Sequence, residues 1–326
     1  MGFFDFLKRL FSSEPERRAP RLVAPEPGLG PDELARRLGL SVQQLESTPC
    51  DYHEFAIRKR SGGTRQITAP NRQLKTVQRK ILKRLLGRLC CHPCATGFEK
   101  RHSIVTNAAV HVGADAVLRM DMIAFFRMTT AERIRGYFYG IGWGKEATDL
   151  LIRLCTHNGA LPQGAPTSPR LSNLVNIEMD TRLACWARKI GAAYTRYADD
   201  VTFSFPDLDA SAPGPAFDQN PKTLESIRRD EGDALITSTI RMTKKVLGEY
   251  GYELHNKRKL NIRRRHQQQR VCGLVVNEKV ALPRRTRRWL RAVRHHHATG
   301  RRATLTAQQL AGWDALEHMI ALQAEE

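Results

Sequence analysis

The sequence contains no run of apolar residues long enough to cross a bilayer, so a membrane-spanning protein is not expected. Its first 13 residues carry Asp5, Lys8 and Arg9 inside an apolar pattern, which does not fit a secretory signal peptide. The cysteines number seven, an odd count without the spacing of a disulfide framework. Reduced thiols and a cytoplasmic location are therefore predicted.

Acidic residues are also scarce relative to basic ones. Among 326 residues, 33 are Asp or Glu and 53 are Lys or Arg, which gives a formal net charge of +20. This imbalance favours a polyanionic partner, most simply nucleic acid. An anionic membrane surface is the alternative, but the basic residues are spread along the whole chain rather than packed beside one anchor. We expect a nucleic-acid partner and no membrane.

Two adjacent carboxylates, Asp199 and Asp200, lie at the centre of the stretch from Ala193 to Phe205. The alternation of apolar residues from Val201 to Phe205 predicts a half-buried strand, and adjacent Asp residues favour a tight turn. The pattern therefore predicts a β-hairpin with both carboxylates at its tip. Neighbouring carboxylates repel each other unless a cation joins them, and hard divalent metals prefer such oxygens. A solvated Asp-Asp turn is the alternative.

A third carboxylate, Asp121, follows a predicted strand that begins at Ala116. A carboxylate at the end of a buried strand is costly unless it is paired or bound to metal, although an ordinary strand-end turn remains the alternative. Three acids from distant strand ends, in a strongly basic chain, suggest a two-metal site that acts on nucleotides. Paired Mg²⁺ ions can activate a 3′ hydroxyl and stabilise a leaving pyrophosphate.

The other patterns predict helices and one further hairpin around these strands. Two strand-like runs flank Gly62-Gly63, and the basic residues at this hairpin tip suit a phosphate chain. A rigid Pro/Gly loop from Leu161 delivers Gln163 and leads into a helix capped by Ser168. This helix is predicted to continue to about Ile190, and residues 206–230 are predicted to form a polar surface insertion. Further helices are predicted at 231–250 and 307–321, and a strongly basic helix at 283–294.

Three motifs resemble those of reverse transcriptases. The tetrapeptide Tyr197-Ala198-Asp199-Asp200 resembles the catalytic box of that family, and the segment from Asp121 to Phe126 resembles its first acidic motif. The loop LPQGAPTSP, residues 161–169, resembles the loop shared by bacterial retron and group II intron enzymes. The segment from Asn107 to His111 resembles the NAxxH motif of the retron branch, and Val271-Cys272-Gly273 resembles its VTG motif, with Cys in place of Thr.

The resemblance implies a role for each matching residue. Asp121 and Asp199 would bind two Mg²⁺ ions, with support from Asp200 and the backbone carbonyl of Met122. Phe126 would be a steric gate that selects deoxynucleotides. Lys59 and Arg65 would contact the triphosphate, Gln163 would line the nucleotide pocket, and Lys259 would contact the leaving pyrophosphate. The implied RNA contacts are Asn107, His111, Val271, Cys272, Gly273, Arg284, Arg285, Arg287 and Arg288. Phe126 as a core aromatic and Lys259 as a plain surface lysine are the alternatives.

The resemblance also implies an α+β fold in the form of a right-hand polymerase. Residues 1–30 would be an amphipathic helix and a linker, 31–112 the fingers, 113–270 the palm with the 206–230 insertion, and 271–326 a helical thumb. The implied function is that of a retron-type reverse transcriptase, which copies a cognate structured noncoding RNA from deoxynucleoside triphosphates into a branched multicopy single-stranded DNA. Antiphage defence with a separate effector protein, and oligomers held by nucleic acid, are further implied.

Two alternatives compete with this interpretation. A group II intron-like reverse transcriptase is one, although the chain ends soon after the predicted thumb, which leaves no space for a maturase or endonuclease domain. The other is a binding protein of another class, in which the same fold only sequesters RNA or an effector. The presence of all three acids argues against that scaffold, because a scaffold does not need them.

Overall fold

A computed structural model describes residues 23–58, 62–208, 221–255 and 260–323. The strands are β1 (Tyr52–Arg58), β2 (Thr64–Pro70), β3 (Ala116–Asp121), β4 (Ala193–Tyr197), β5 (Asp200–Phe205), β6 (Asn261–Arg264), β7 (Arg270–Val271) and β8 (Leu274–Val275). The helices are α1 (Pro31–Leu38), α2 (Val42–Glu46), α3 (Arg72–Arg84), α4 (Ile104–Ala109), α5 (Phe125–Met128), α6 (Ala131–Gly140), α7 (Lys145–Cys155), α8 (Ser168–Val175), α9 (Ile177–Lys189), α10 (Pro221–Glu249), α11 (Arg284–Ala298) and α12 (Ala307–Gln323). The predicted amphipathic helix at 1–11 lies outside the described residues.

A four-stranded antiparallel sheet carries both acidic motifs. Its strand order is β4-β5-β3-β6, so β3 and β5 are the central pair. Their register pairs Ala116 with Phe205 at one end and Asp121 with Asp200 at the other. The β4–β5 pair closes through a tight turn at Ala198, whose φ is 58°, as the alternating sequence predicted.

The second predicted hairpin is also confirmed. Strands β1 and β2 pair antiparallel from Tyr52 opposite Pro70 to Arg58 opposite Thr64. Gly62 and Gly63 both have positive φ, at 89° and 78°, which a side chain would disfavour. The hairpin forms a two-stranded sheet that is separate from the four-stranded sheet.

The helix predicted from Ser168 to Ile190 is two helices, because the chain breaks at Asn176. The Asn176 side chain donates to the carbonyl of Ser172 at 2.7 Å and to the Tyr252 hydroxyl at 2.9 Å. Its own amide oxygen accepts from Arg133 at 2.6 Å. These bonds satisfy a fully buried amide at the junction of α8 and α9. The first of these helices has Thr167 as its N-cap rather than Ser168.

The predicted surface insertion at 206–230 is only partly correct. Residues 209–220 lie outside the described residues, but α10 already begins at Pro221. The helix therefore starts ten residues before the predicted Glu231. The polar composition of 221–230 predicts a surface loop. In the structure these residues form the first turns of a helix, and the later part of that helix packs under the sheet.

Three hydrophobic clusters hold the elements together. The first lies between the four-stranded sheet and α9 and α10. The second joins α1, α2 and α3 to α6, α7 and α8. The third joins α4, β7 and β8 to α11 and α12. Mixed helices and antiparallel sheets make this an α+β fold, as predicted.

Two further findings concern the class of protein. None of the helices in the described ranges is both long and apolar enough to cross a membrane. All seven cysteines lie in the described part of the chain and are free thiols.

Candidate active site

The ends of β3 and β5 open into a cavity of about 540 Å³. Asp121 reaches it from the end of β3, and Asp200 lies directly opposite at the start of β5. Asp199 comes from the intervening turn of the β4–β5 hairpin. The cavity thus brings together three carboxylates that the sequence separates by almost 80 residues. Other lining residues are Glu54, Arg65, Phe98, Phe126, Arg127, His157, Gln163, Tyr197 and His255.

Backbone hydrogen bonds fix the two acidic motifs against each other. The Met122 amide donates to the Asp199 carbonyl at 3.0 Å, so the turn is tied to the residue that follows Asp121. Asp121 in turn accepts, through its backbone carbonyl, from the His255 amide at 2.9 Å. Three chain segments therefore meet at the carboxylates. Met122 itself has a buried side chain, so its backbone is the part that lies at the cavity.

Two of the carboxylates have basic partners from the protein. Arg119 Nη2 donates to Asp200 Oδ1 at 3.1 Å, and His255 Nε2 lies 3.3 Å from Asp121 Oδ2. In the conformation described, no group of three His, Cys, Asp or Glu side chains within the described ranges is close enough to hold a metal ion. The carboxylates therefore share a cavity but are not gathered around one point.

A buried ion pair lies beneath the acidic turn. Arg196 on β4 and Asp180 on α9 are both completely buried, and the guanidinium bonds the two carboxylate oxygens at 2.8 and 2.6 Å. The third guanidinium nitrogen of Arg196, Nη1, donates to the Ala198 carbonyl at 3.1 Å. The Tyr194 hydroxyl also donates to Asp180. This network connects the turn that carries Asp199 to the core of the sheet.

Three further predicted nucleotide contacts line the same cavity: Phe126 from α5, Gln163 from the loop before α8, and Arg65 from β2. The Gln163 carbonyl accepts from the Thr68 amide at 2.8 Å, which fixes the loop to the hairpin. Lys59 and Lys259 lie outside the described residues. The structure brings the described members together, and their roles stay predictions.

The predicted RNA contacts Asn107 and His111 are both fully buried, and their role toward RNA stays a prediction. His111 hydrogen bonds to Ser204 on β5 and Thr195 on β4, at 2.8 and 2.7 Å, and burial lowers its pKa to about 3. Asn107 accepts from Thr96 at 2.6 Å and donates to the sulfur of Cys272 at 3.2 Å. In this conformation they connect elements of the protein and do not present a surface to RNA.

The remaining predicted RNA contacts differ in exposure. Val271 is buried, whereas Cys272 and Gly273 form the turn between β7 and β8, both with positive φ. The pKa of the Cys272 thiol is raised to about 12, mainly by burial and secondly by the negative charge of nearby Asp200. The turn therefore lies close to the acidic cavity. Four of the six arginines of α11 are predicted RNA contacts, and all four are exposed: Arg284, Arg285, Arg287 and Arg288.

Sequence reasoning missed several cavity residues. The sequence patterns gave no role to four residues that line the cavity: Phe98, Arg127, His157 and His255. Gly97, next to Phe98, carried a usable signal, because glycine allows a close approach of backbone segments. A Cβ at Gly97 would lie 2.6 Å from the Ala198 nitrogen. The two histidines carry no comparable local signal.

Sequence comparisons with known proteins identify the family of this chain. The model of a family described as reverse transcriptase (RNA-dependent DNA polymerase) matches residues 57–260. The retron Mx65 reverse transcriptase of Myxococcus xanthus is 36% identical over 293 residues, which cover 82% of this chain and 62% of that protein. The retron Ec86 reverse transcriptase of Escherichia coli is 32% identical over 288 residues, which cover 86% of this chain and 81% of that protein. The retron Mx162 reverse transcriptase of Myxococcus xanthus is 34% identical, and the chain spans 63% of its length.

Proposed function

The chain belongs to the reverse transcriptase family, among its retron-type members, and from this premise we propose that it is an RNA-directed DNA polymerase. The observation that carries the proposal is the meeting of Asp121, Asp199 and Asp200 at one cavity. Carboxylates at the end of β3 and at the β4–β5 turn are a donor set suited to two-metal nucleotidyl transfer. The chain spans about 62–63% of the length of the two Myxococcus xanthus relatives, so activity, substrate and partners are all part of the proposal.

The donor set fits magnesium in its chemistry. Carboxylate and carbonyl oxygens are the ligands that Mg²⁺ prefers, and Asp121, Asp199, Asp200 and the Met122 carbonyl offer them. Two bound Mg²⁺ ions would activate the primer hydroxyl and stabilise the leaving pyrophosphate. Asp121 and Asp199 would hold both ions and Asp200 would support them. In the present conformation Arg119 forms an ion pair with Asp200, and His255 lies 3.3 Å from Asp121, so metal ligation would require both contacts to loosen.

Residues around the acids would hold the nucleotide. Arg65 and Lys59, from the β1–β2 hairpin, would bind the triphosphate through charge-assisted hydrogen bonds. Phe126 would exclude a ribose 2′ hydroxyl, and Gln163 would contact the nucleotide between the hairpin and the sheet. Lys259 would protonate the leaving pyrophosphate. The shared cavity of Arg65, Phe126 and Gln163 supports this part of the proposal.

The right-hand layout and the RNA partner are the finer parts of the proposal. Fingers, palm and thumb would correspond to 31–112, 113–270 and 271–326. The exposed arginines of α11 would follow the phosphate backbone of a cognate structured RNA, with the Val271–Gly273 turn beside them. The product would be a branched RNA–DNA hybrid primed on an internal 2′ hydroxyl. Defence against phage through a separate effector, and assembly through nucleic acid, extend the same proposal. Similarity to the retron reverse transcriptases of Myxococcus xanthus and Escherichia coli supports its retron part.

The test compares three proteins expressed from the native locus. Nucleic acid that co-purifies with the wild type, Asp199→Asn and Asp149→Asn is run on a denaturing gel before and after RNase and DNase. Asp149 is a matched aspartate, because it lies on α7 in a half-exposed ion pair with Arg135 and does not line the cavity. We expect a discrete DNA whose mobility changes with RNase in the wild type and in Asp149→Asn, and its absence in Asp199→Asn.

A second outcome would favour the scaffold alternative. The observation on its side is that basic side chains of the protein already contact two of the acids, Arg119 at Asp200 and His255 at Asp121. RNA that co-purifies equally with all three proteins, without DNA, would mean that the fold binds but does not polymerise. Primer extension on a synthetic RNA template with Mg²⁺ would then also be absent in the wild type.

A further inference from the structure

Phe98 presents a large aromatic ring to the cavity that holds the three carboxylates. Its side chain is 46% exposed and lines the same space as Asp121 and Asp199. The exposed ring contrasts with the three residues directly before it, because Ala95, Thr96 and Gly97 are buried. The ring therefore points away from the core that holds its own loop.

The backbone at Phe98 adopts a left-handed conformation, with φ of 67°. A bulky residue disfavours this region, which glycine occupies without cost. Six non-glycine residues in the described part of the chain have positive φ, and four of them line this cavity: Phe98, Ala124, Asn158 and Ala198. Strained backbone persists where the surroundings enforce it, and it clusters at sites that contact ligands.

The surroundings of Phe98 enforce its position from both sides. On one side, the amides of Thr96 and Gly97 donate to the carbonyl of Arg196, at 3.0 and 3.5 Å. On the other side, the Asn173 amide donates to the Gly97 carbonyl at 2.7 Å and to Glu99 at 2.8 Å. Glu99 also forms an ion pair with an arginine of α8. The loop is thus fixed against the acidic turn, and the ring of Phe98 is the part left to face the cavity.

Two other aromatic rings flank Phe98 without covering it. The ring centroids of Phe126 and Tyr197 lie 6.1 and 6.5 Å away, tilted by 40° and 39°. These contacts leave much of the Phe98 ring open, as its exposure requires. An apolar ring beside carboxylates that would hold Mg²⁺ matches a ligand with metal-bound phosphates at one end and a flat, apolar face at the other. A nucleotide has this character, because its base and sugar carry apolar faces.

We propose that Phe98 is a substrate-contacting residue, whose ring packs against the base or sugar of a nucleotide at the polymerisation site. The inference rests on the proposed polymerase function. The nucleotide has two sources with the same chemistry, the incoming deoxynucleoside triphosphate and the primer–template strand. Stacking of a base on an aromatic ring changes affinity by roughly 5- to 150-fold.

The test uses Phe98→Gly, Phe98→Tyr and the control Phe55→Ala. Glycine removes the ring and also relieves the left-handed backbone, so it separates contact from packing. Phe55 on β1 is 42% exposed and does not line the cavity. For each protein we would measure the unfolding temperature, the Kd of a fluorescent RNA template–DNA primer duplex, and kcat and KM for the nucleotide.

We expect Phe98→Gly to unfold at the wild-type temperature or above it, while one binding constant rises roughly 5- to 150-fold. A rise confined to the nucleotide KM identifies the incoming nucleotide, and a rise in Kd identifies the strand. Phe98→Tyr keeps the ring and should stay close to wild type, as should Phe55→Ala.

The inference is overturned if Phe98→Gly leaves both constants unchanged, or if it lowers the unfolding temperature together with activity, because the ring would then serve packing. In both cases the wild type still extends primers, so the proposed function stands. A wild type that neither binds nor extends the duplex overturns the proposed function and this inference with it.

Discussion

Replacing Asp180 with Asn would remove the counter-charge of an arginine that has no access to water. Arg196 and Asp180 are both fully buried, and two nitrogens of the guanidinium bond the two carboxylate oxygens. Burial acts to lower the pKa of Arg196, but the charge and hydrogen bonds of Asp180 outweigh it and hold the pKa above its usual range. Without Asp180 the guanidinium remains charged and buried.

The expected loss can be estimated from this geometry. Breaking a buried pair by removing one partner costs about 3–5 kcal/mol, because an uncompensated charge stays inside the protein. The Ala198 carbonyl accepts from the same guanidinium, so the acidic turn should also lose its anchor. We therefore expect Asp180→Asn to lose about 3–5 kcal/mol of unfolding free energy. Where the variant is still folded, we expect it to lose DNA synthesis.

Urea unfolding followed by tryptophan fluorescence measures the stability, since Trp186 is buried on the same helix as Asp180. The control is Asp149→Asn, whose ion pair is half exposed and should contribute at most about 1 kcal/mol. The double variant Asp180→Leu with Arg196→Met removes both charges and should recover part of the loss. Its acidic turn would still lack the bond to Ala198, so activity should not recover with stability.

Either of two results would refute this reasoning. Asp180→Asn could lose no more stability than the Asp149→Asn control. Alternatively, the double variant could be as unstable as the single one, which would mean that shape rather than charge dominates. In both cases the buried pair would not be the anchor of the acidic turn.

Three further predictions concern other parts of the fold. His111→Gln should flatten the pH dependence of stability. In the wild type the folded pKa of His111, about 3, lies below the unfolded value, so the contribution of His111 to stability is complete only above the unfolded pKa. Urea melts of the wild type should therefore show a loss of about 1.4 kcal/mol of unfolding free energy between about pH 7.5 and 5.5. An equal slope in His111→Gln would contradict this. Gly97→Ala should lower stability by about 1–3 kcal/mol in the same melts, because its Cβ would meet backbone 2.6 Å away, whereas Gly140→Ala has open space and should not. Arg287→Ala should reduce the slope of log affinity for RNA against log salt by about one, measured by fluorescence anisotropy, and an unchanged slope would exclude a phosphate contact there.

Local patterns were sufficient for the elements that carry the acids. The alternation after Asp200 and the glycine pair at 62–63 each specify a hairpin through short-range backbone preferences, and both hairpins formed as predicted. Local patterns failed at Asn176, where the break in the helix depends on Tyr252 and Arg133, residues that are distant in sequence. They failed again at Pro221, where polar residues form the start of a helix that later packs under the sheet.

The sequence by itself determined the α+β fold class, the family and the three acids, because motif order and strand periodicity depend on residues close together in the chain. Only the tertiary structure decided which side chains are accessible. Asn107 and His111 belong to a matching motif, yet both are buried by strands and turns far from them in sequence. Phe98 belongs to no motif that the sequence reveals, yet it faces the cavity because its loop is hydrogen bonded to Arg196 and Asn173. Exposure is a property of what packs against a residue, and no local pattern records those partners.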